Sequence, residues 1–325
     1  MLTVYVPEER GLTAITPLAE DPFPAAPVWV DLYSPTAEEV TRVETALGIA
    51  LPTREEMQEI EASSRLYIED GAAYMTAVVL AQSESDHPQL AAVTFVLSGT
   101  RLVTIRHSEP KPFKVFAARA PRLPLTSGQA VFNGLLEAII DRAADILERV
   151  GTEMETLSRS VFAHSKARVG ASRDFQDILE SIGLTGDLNS RAAESLMSMG
   201  RVLAFMSASS GGGAGKANKD LRQSVKIMWR DVQSLLDHAN FLSDKITFLL
   251  SATLGMIGIE QSTIIKIFSV VAVIFLPPTL VASIYGMNFE IMPELSWPFG
   301  YPFALGLMIV SAIMPFLYFK RKGWL

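Results

Sequence analysis

Cysteine is absent from the chain, which excludes disulfides and thiolate metal sites and fits a reducing compartment. Histidine is nearly absent too. The four copies, His87, His107, His164 and His238, lie far apart and show no metal-ligand spacing. No nucleophile stands with a base beside it, so the sequence offers no enzyme. Positive charge is in deficit: Lys and Arg number 28 against 35 Asp and Glu, a net charge of −7. A phosphate-binding face needs the opposite balance, so nucleic acid is not an expected partner, and an acidic chain is a more natural host for cations. The opening residues MLTVYVPE lack the basic start and long apolar run of a signal peptide, so the large first part is expected in the cytoplasm.

Charge is also missing from two long stretches near the end. Between Lys266 and Glu290 runs IFSVVAVIFLPPTLVASIYGMNF, and between Glu294 and Lys320 runs LSWPFGYPFALGLMIVSAIMPFLYF. Each exceeds the roughly 20 apolar residues that cross a hydrocarbon core, so both read as membrane spans and not as buried core helices. The flanks give the orientation. Lys320, Arg321 and Lys322 follow the second span and Lys266 precedes the first, whereas the connecting loop holds Glu290 and Glu294 but no Lys or Arg. The positive-inside rule then puts both termini in the cytoplasm. Trp297, Phe299 and Tyr301 fall at the outer interface and Tyr318 with Trp324 at the inner one, where amphipathic rings favour the headgroup layer.

The first 110 residues or so read as α/β. The β-branched runs at 2–6, 28–33, 66–80 and 91–106 predict strands and hairpins, turning at Asp70-Gly71 and near Ser98-Gly99. Thr36 with Glu39 and Thr53 with Glu56 fit capping boxes that open helices. From Ser127 to about Phe205 the pattern is helical, with breaks expected near 165–170 and near Gly183 to Gly186. The run GGGAGK suggests a phosphate loop, but Ser210 and Ala217 stand where that motif needs Gly and Ser or Thr, and no strand precedes it. It reads as a flexible turn between helices. Beyond it Val225, Val232, Ala239, Ile246 and Thr253 share one heptad position, and Met228, Leu235, Leu242, Leu249 and Met256 share the position three residues on. This seam predicts one long helix from about Lys216 to Ile284, on the order of 100 Å at 1.5 Å per residue, and a rod of that length needs neighbours, hence an oligomer.

The loop Tyr285-Gly286-Met287-Asn288-Phe289, followed by "MPEL" (292–295), "GYP" (300–302) and the basic tail "YFKRKGWL" (318–325), resembles the CorA family of divalent-cation channels, whose signature is Gly-Met-Asn at the end of the first span. The stretch 259–289 is similar to the branch of that family that carries bacterial magnesium transport. The resemblance implies a funnel-shaped homopentamer in the bacterial inner membrane, with an α/β cytoplasmic domain (1–125), a cytoplasmic helical region (126–215), a stalk helix (216–263) and a transmembrane domain (264–325). Spans at about 267–287 and 298–319, joined by an outer loop at 288–297, complete the expected layout.

It further implies Mg²⁺ influx, with Co²⁺ and Ni²⁺ as surrogates and Mg²⁺ also as regulator. Gly286, Met287 and Asn288 would form the selectivity motif, and Glu290 and Glu294 would attract cations to the outer loop. Stepping back along the first span, Thr279, Leu276, Ala272, Phe268 and Ile265 would line the pore. Asp231, Asp237 and Asp244 on the stalk are the candidate cytoplasmic sensor, the last two one heptad apart. Two alternatives stay open: a zinc transporter of the same fold, against which Met287 speaks, and a non-conducting, membrane-anchored coiled-coil scaffold.

Overall fold

The computed structural model describes residues 1–8, 10–85, 88–163, 175–209, 216–288 and 292–324, without the side chains at 62, 163, 216–221, 294 and 295. Two compact units divide the chain, Met1–Leu250 and Ser251–Leu325.

In the first unit seven strands form one sheet. They are β1 (Leu2–Glu8), β2 (Gly11–Ile15), β3 (Trp29–Tyr33), β4 (Leu66–Glu69), β5 (Ala72–Ala81), β6 (Gln89–Ser98) and β7 (Arg101–Arg106), in spatial order β2-β1-β3-β7-β6-β5-β4. Neighbours are antiparallel except β3 and β7, which run parallel with Trp29 opposite Leu102 and Asp31 opposite Thr104. Both expected hairpins form. Asp70 (φ +49°) and Gly71 (φ +79°) make a two-residue turn with both residues left-handed, the geometry that an Asp-Gly pair favours. Strand β2 was not legible, since its five residues alternate too weakly against the loop that follows.

Alternating strand residues feed two cores, as a sheet covered on both sides requires. On one face Val4, Val30, Leu32, Val96 and Ile105 pack with Val43 of helix α1 (Ala37–Leu47) and Met57 of α2 (Arg54–Gln58). Thr36 and Thr53 cap these helices, each accepting from the backbone N–H of Glu39 or Glu56, whose carboxylate accepts in return. A short α3 (Ala62–Arg65) leads into β4.

On the other face Trp29, Met75, Phe95 and Leu102 meet Phe113 and Phe116 of α4 (Lys111–Arg119) and the apolar stripes of α5 (Gly128–Ala163) and α6 (Phe175–Ser209). Helix α7 (Lys216–Tyr285) contributes Val225, Met228, Val232, Ala239, Leu242 and Leu249 to the same core. The heptad seam of this unit is therefore consumed by α5 and α6, which supply neighbours that the sequence reading sought in other copies. The Asn189 amide donates to the Ala239 carbonyl (3.0 Å), and Leu242 and Ile246 approach Gly151 and Gly186.

The expected break near Gly183 to Gly186 does not occur, because α6 runs through it. The expected break at 165–170 and most of the GGGAGK run lie outside the described residues, as do His87 and His164.

A polar chain crosses the α4 to α7 side of the sheet. The Trp29 indole donates to Thr104 Oγ1 (2.9 Å), Thr104 donates to Asp31 (2.7 Å), and Asp31 pairs with Arg106 (2.9 Å), all buried. The Arg106 guanidinium lies 4.6 Å from the Tyr33 ring centre and 5.1 Å from that of Phe113. Tyr5 stacks on Trp29 at 4.1 Å, and burial, reinforced by the Asp31 charge and opposed by Arg106, pushes its hydroxyl up to about 12.

Two stability predictions follow from this unit. Asp31→Ala strands the Arg106 guanidinium and is expected to cost about 3–5 kcal/mol, read as a large drop in the thermal midpoint of the full-length protein in detergent. Gly186→Ala has the opposite sign. Its new Cβ would sit 3.5 Å from the Ile246 methyl, an ordinary contact, and replacing a mid-helix glycine contributes about 0.5–1 kcal/mol.

Candidate functional site

Among the described residues two helices are long and apolar enough to cross a membrane: α7 over Arg222–Tyr285, which starts in the first unit and ends in the second, and α8 (Gly300–Arg321) of the second unit. In each, only 6% of the most apolar window is buried, where a core helix of a soluble fold would bury nearly all of it. Between them come Gly286, Met287 and Asn288, then a 3₁₀ turn at Pro293–Ser296 and an aromatic corner in which Trp297 meets Phe303 at 5.8 Å.

Helix α7 ends because its backbone tightens. Gly286 N–H still reaches the Ala282 carbonyl at 3.0 Å, but Met287 N–H falls back to Ile284 (3.3 Å). A Cβ on Gly286 would lie 3.1 Å from the Ala282 oxygen, closer than ordinary carbon contacts. The demand for glycine is thus a close approach to the previous turn, since φ at Gly286 is not in the left-handed region. Asn288 is exposed, with no side-chain partner among the described residues, and Met287 is half-exposed.

Below the turn, Ile265, Phe268, Ala272, Leu276 and Thr279 all have exposed side chains and follow one another at steps of three or four residues, a single stripe of the helix. Asn288 comes nine positions after Thr279 and three after the last helical residue, so the turn and not helical spacing sets its register with that stripe. Pro277 and Pro278 lie inside the helix and supply no N–H to the carbonyls four residues earlier, Val273 and Ile274. Thr279 donates its hydroxyl proton to the Phe275 carbonyl at 2.7 Å. Its free lone pairs therefore make it an acceptor toward anything on the stripe side.

In the first unit, Asp231, Asp237 and Asp244 are exposed on α7. Asp231 lines a cavity of about 450 Å³ with Glu137 and Asp141 of α5. Sequence reading missed these two carboxylates because they are about ninety positions away, and only the packing of α5 beside α7 brings them near. Among the described residues no group of three or more His, Cys, Asp or Glu could hold a metal ion. Asp237 and Asp244 stay one heptad apart, with His238 stacked on Phe241 between them. Partial burial and the nearby Arg54 charge lower the pKa of His107, with Glu55 opposing. Glu290 lies outside the described residues, as does the side chain of Glu294.

Known proteins resemble the chain along its whole length. The family profile described as "CorA-like Mg2+ transporter protein" matches residues 24–321. A magnesium transport protein CorA of Pectobacterium atrosepticum is 40% identical over 302 residues, covering 92% of each chain. One of Escherichia coli is 38% identical over 327 residues, covering 100% of each. The complete structure of the CorA magnesium transporter from Methanocaldococcus jannaschii superposes with a TM-score of 0.77 at 21% identity, covering 100% of this chain and 99% of that one. With the family profile matched over residues 24–321 and relatives 38–40% identical along nearly the whole chain, the chain belongs to the CorA family.

Proposed function

We propose that the chain is a transporter, not an enzyme, that carries Mg²⁺ into the cell across the bacterial inner membrane, driven by the membrane potential. The observation that carries the reading is its full-length similarity to proteins named for magnesium transport, together with an exposed Gly286-Met287-Asn288 turn at the end of the first apolar helix. In this reading both termini are cytoplasmic, as the Lys and Arg flanks favour. Residues 1–125, 126–215 and 216–263 form the cytoplasmic parts of a funnel-shaped homopentamer and 264–325 its membrane part. Five copies would bring five stripes of Ile265, Phe268, Ala272, Leu276 and Thr279 round one axis. The exposed Ile227, Trp229, Phe241 and Phe248 of the stalk support such association, being large apolar side chains left over once the seam has packed.

The chemistry of the residues fits a hydrated ion. Mg²⁺ gives up its water reluctantly, so a pore that stripped it would face a high barrier. An Asn288 ring offers neutral carbonyl oxygens that accept hydrogen bonds from the hydration shell, and the Thr279 ring offers lone pairs further in. Co²⁺ and Ni²⁺ have hydrated forms of similar size and would follow. Glu290 and Glu294 would raise the local cation concentration through their field. Leu276, Phe268 and Ile265 would form an apolar constriction that closes by dewetting. Regulatory Mg²⁺ would act on Asp231, Asp237 and Asp244, with occupancy holding neighbouring acidic surfaces together and its loss releasing their repulsion. Asp231 shares a cavity lining with Glu137 and Asp141, and a neighbouring copy would have to complete the ligand set there.

Growth of a strain lacking magnesium uptake, on low Mg²⁺, tests the reading. Wild type should restore growth, and Asn288→Ala, present in the membrane at equal amount, should not. Rescue by both would sink the role of Asn288; rescue by neither, with Zn²⁺ uptake into proteoliposomes, would replace Mg²⁺ by Zn²⁺ as the cargo. Within the pore, Thr279→Val keeps the shape but removes the acceptor, and Mg²⁺ flux should fall about tenfold, the equivalent of one lost hydrogen bond of ~1–1.5 kcal/mol, while Thr279→Ser stays near wild type.

A further inference from the structure

Helix α8 carries Lys320 and Arg321 in its last turn and Lys322 as its cap. The chain then reverses. Gly323 stands at φ +71°, and the N–H groups of Lys322, Gly323 and Trp324 donate to the carbonyls of Tyr318 (3.1 Å), Lys320 (3.3 Å) and Phe319 (3.1 Å). This reversal lays the Trp324 ring on Phe319 at 5.4 Å, and Phe319 meets Tyr318 edge-on at 5.6 Å. The outcome is an aromatic platform beside three exposed cations. None of the three is in an ion pair among the described residues.

The helix dipole and the positive-inside rule each account for cations at this end of α8. Neither calls for a capped reversal that returns an indole to their side. Unpaired cations at the end of a hydrocarbon-length helix stand at the level of lipid phosphates, where indole rings also settle. A guanidinium can hold a phosphodiester through two hydrogen bonds, and flanking ammonium groups add to the attraction. The apolar surface of α8 continues directly from the platform, so a ligand here needs acyl chains as well as an anion.

We propose that Lys320, Arg321 and Lys322, seated by Trp324 on Phe319, bind the headgroup of an anionic phospholipid in the leaflet that faces the C-terminus. The site rests on the membrane reading of α8 and is independent of the transported ion. A lipid and not a soluble phosphate is the occupant, because the aromatic platform and the apolar span below it have no role toward a soluble anion.

The test uses the full-length protein reconstituted in vesicles of phosphatidylcholine containing brominated phosphatidylglycerol or, in parallel, brominated phosphatidylcholine, with tryptophan fluorescence as readout. The difference between wild type and Trp324→Phe isolates the signal of Trp324. That signal should be quenched preferentially by the anionic lipid, with an apparent preference of about fivefold, the equivalent of one juxtamembrane cation, and the preference should shrink as salt is raised. The triple variant Lys320→Gln, Arg321→Gln, Lys322→Gln should lose it. Gly323→Val keeps every charge and so guards against faulty insertion, and it should lower the preference by spoiling the reversal. Equal quenching by both lipids, or a preference that survives in the triple variant, overturns the proposal. Displacement by inorganic phosphate at matched ionic strength would overturn the lipid in favour of a soluble anion. Quenching by neither lipid would instead overturn the membrane reading itself.

Discussion

A polar group carried into hydrocarbon must bring its partner with it, and the second unit is organised by that requirement. It explains why no charged residue lies between Lys266 and Glu290. It also explains why Thr279, next to a pair of prolines, spends its hydroxyl proton on a carbonyl of its own helix. The polar groups with no partner among the described residues are then informative. The Thr279 lone pairs and the Asn288 amide are tolerable only where water or another copy meets them. A single helix in lipid would have no use for them, whereas the proposed ring of helices round a hydrated path would supply both.

The first unit obeys a different constraint, the burial of both faces of a sheet. Its central strands β3 and β7 are buried except at Tyr33 and Arg101, so the polar residues buried in them must satisfy one another. The run from Trp29 through Thr104 and Asp31 to Arg106 does so within one pair of parallel strands. Such a chain contributes little net stability when complete, because desolvation offsets most of the attraction. It does fix the register of β3 against β7, since a one-residue slip would bury the Asp31 carboxylate without the guanidinium.

Features set by neighbours in the chain were legible in the sequence. Both capping boxes, the Asp70-Gly71 hairpin and the uninterrupted run of α7 depend on residues a few positions apart, and each formed as expected. Features set by distant packing were not. The glycines at 183 and 186 looked like a break, yet Gly186 faces Ile246 of another helix, and the apolar residues around it hold α6 together. Helix α4, over Lys111–Arg119, went unassigned; it opens on Pro110 and Pro112, and a proline at a helix start loses no hydrogen bond that would otherwise form. The heptad seam was read correctly as a seam, but a sequence cannot say whether its partner lies in the same chain. Likewise the turn at Gly286 was legible as a motif, while the steric reason for the glycine, an oxygen four residues back, needed coordinates.

The neutrality of the proposed outer ring follows from the energetics of passage. Two unit charges at 4 Å attract by about 4 kcal/mol at an effective dielectric of 20, and a divalent ion facing five carboxylates would multiply that figure. Such a ring would favour inner-sphere binding, replace water ligands and slow release. Five carboxamides instead present dipoles to an intact hydration shell, where each hydrogen bond nets about 1 kcal/mol and can be exchanged one at a time. Discrimination then comes from matching the size and rigidity of the hydrated ion, and Mg²⁺ holds its shell more rigidly than other common cations. Acidic residues can still assist, provided they stand back from the path, as Glu290 and Glu294 would in a loop beyond the ring. A field from that distance concentrates cations without trapping them.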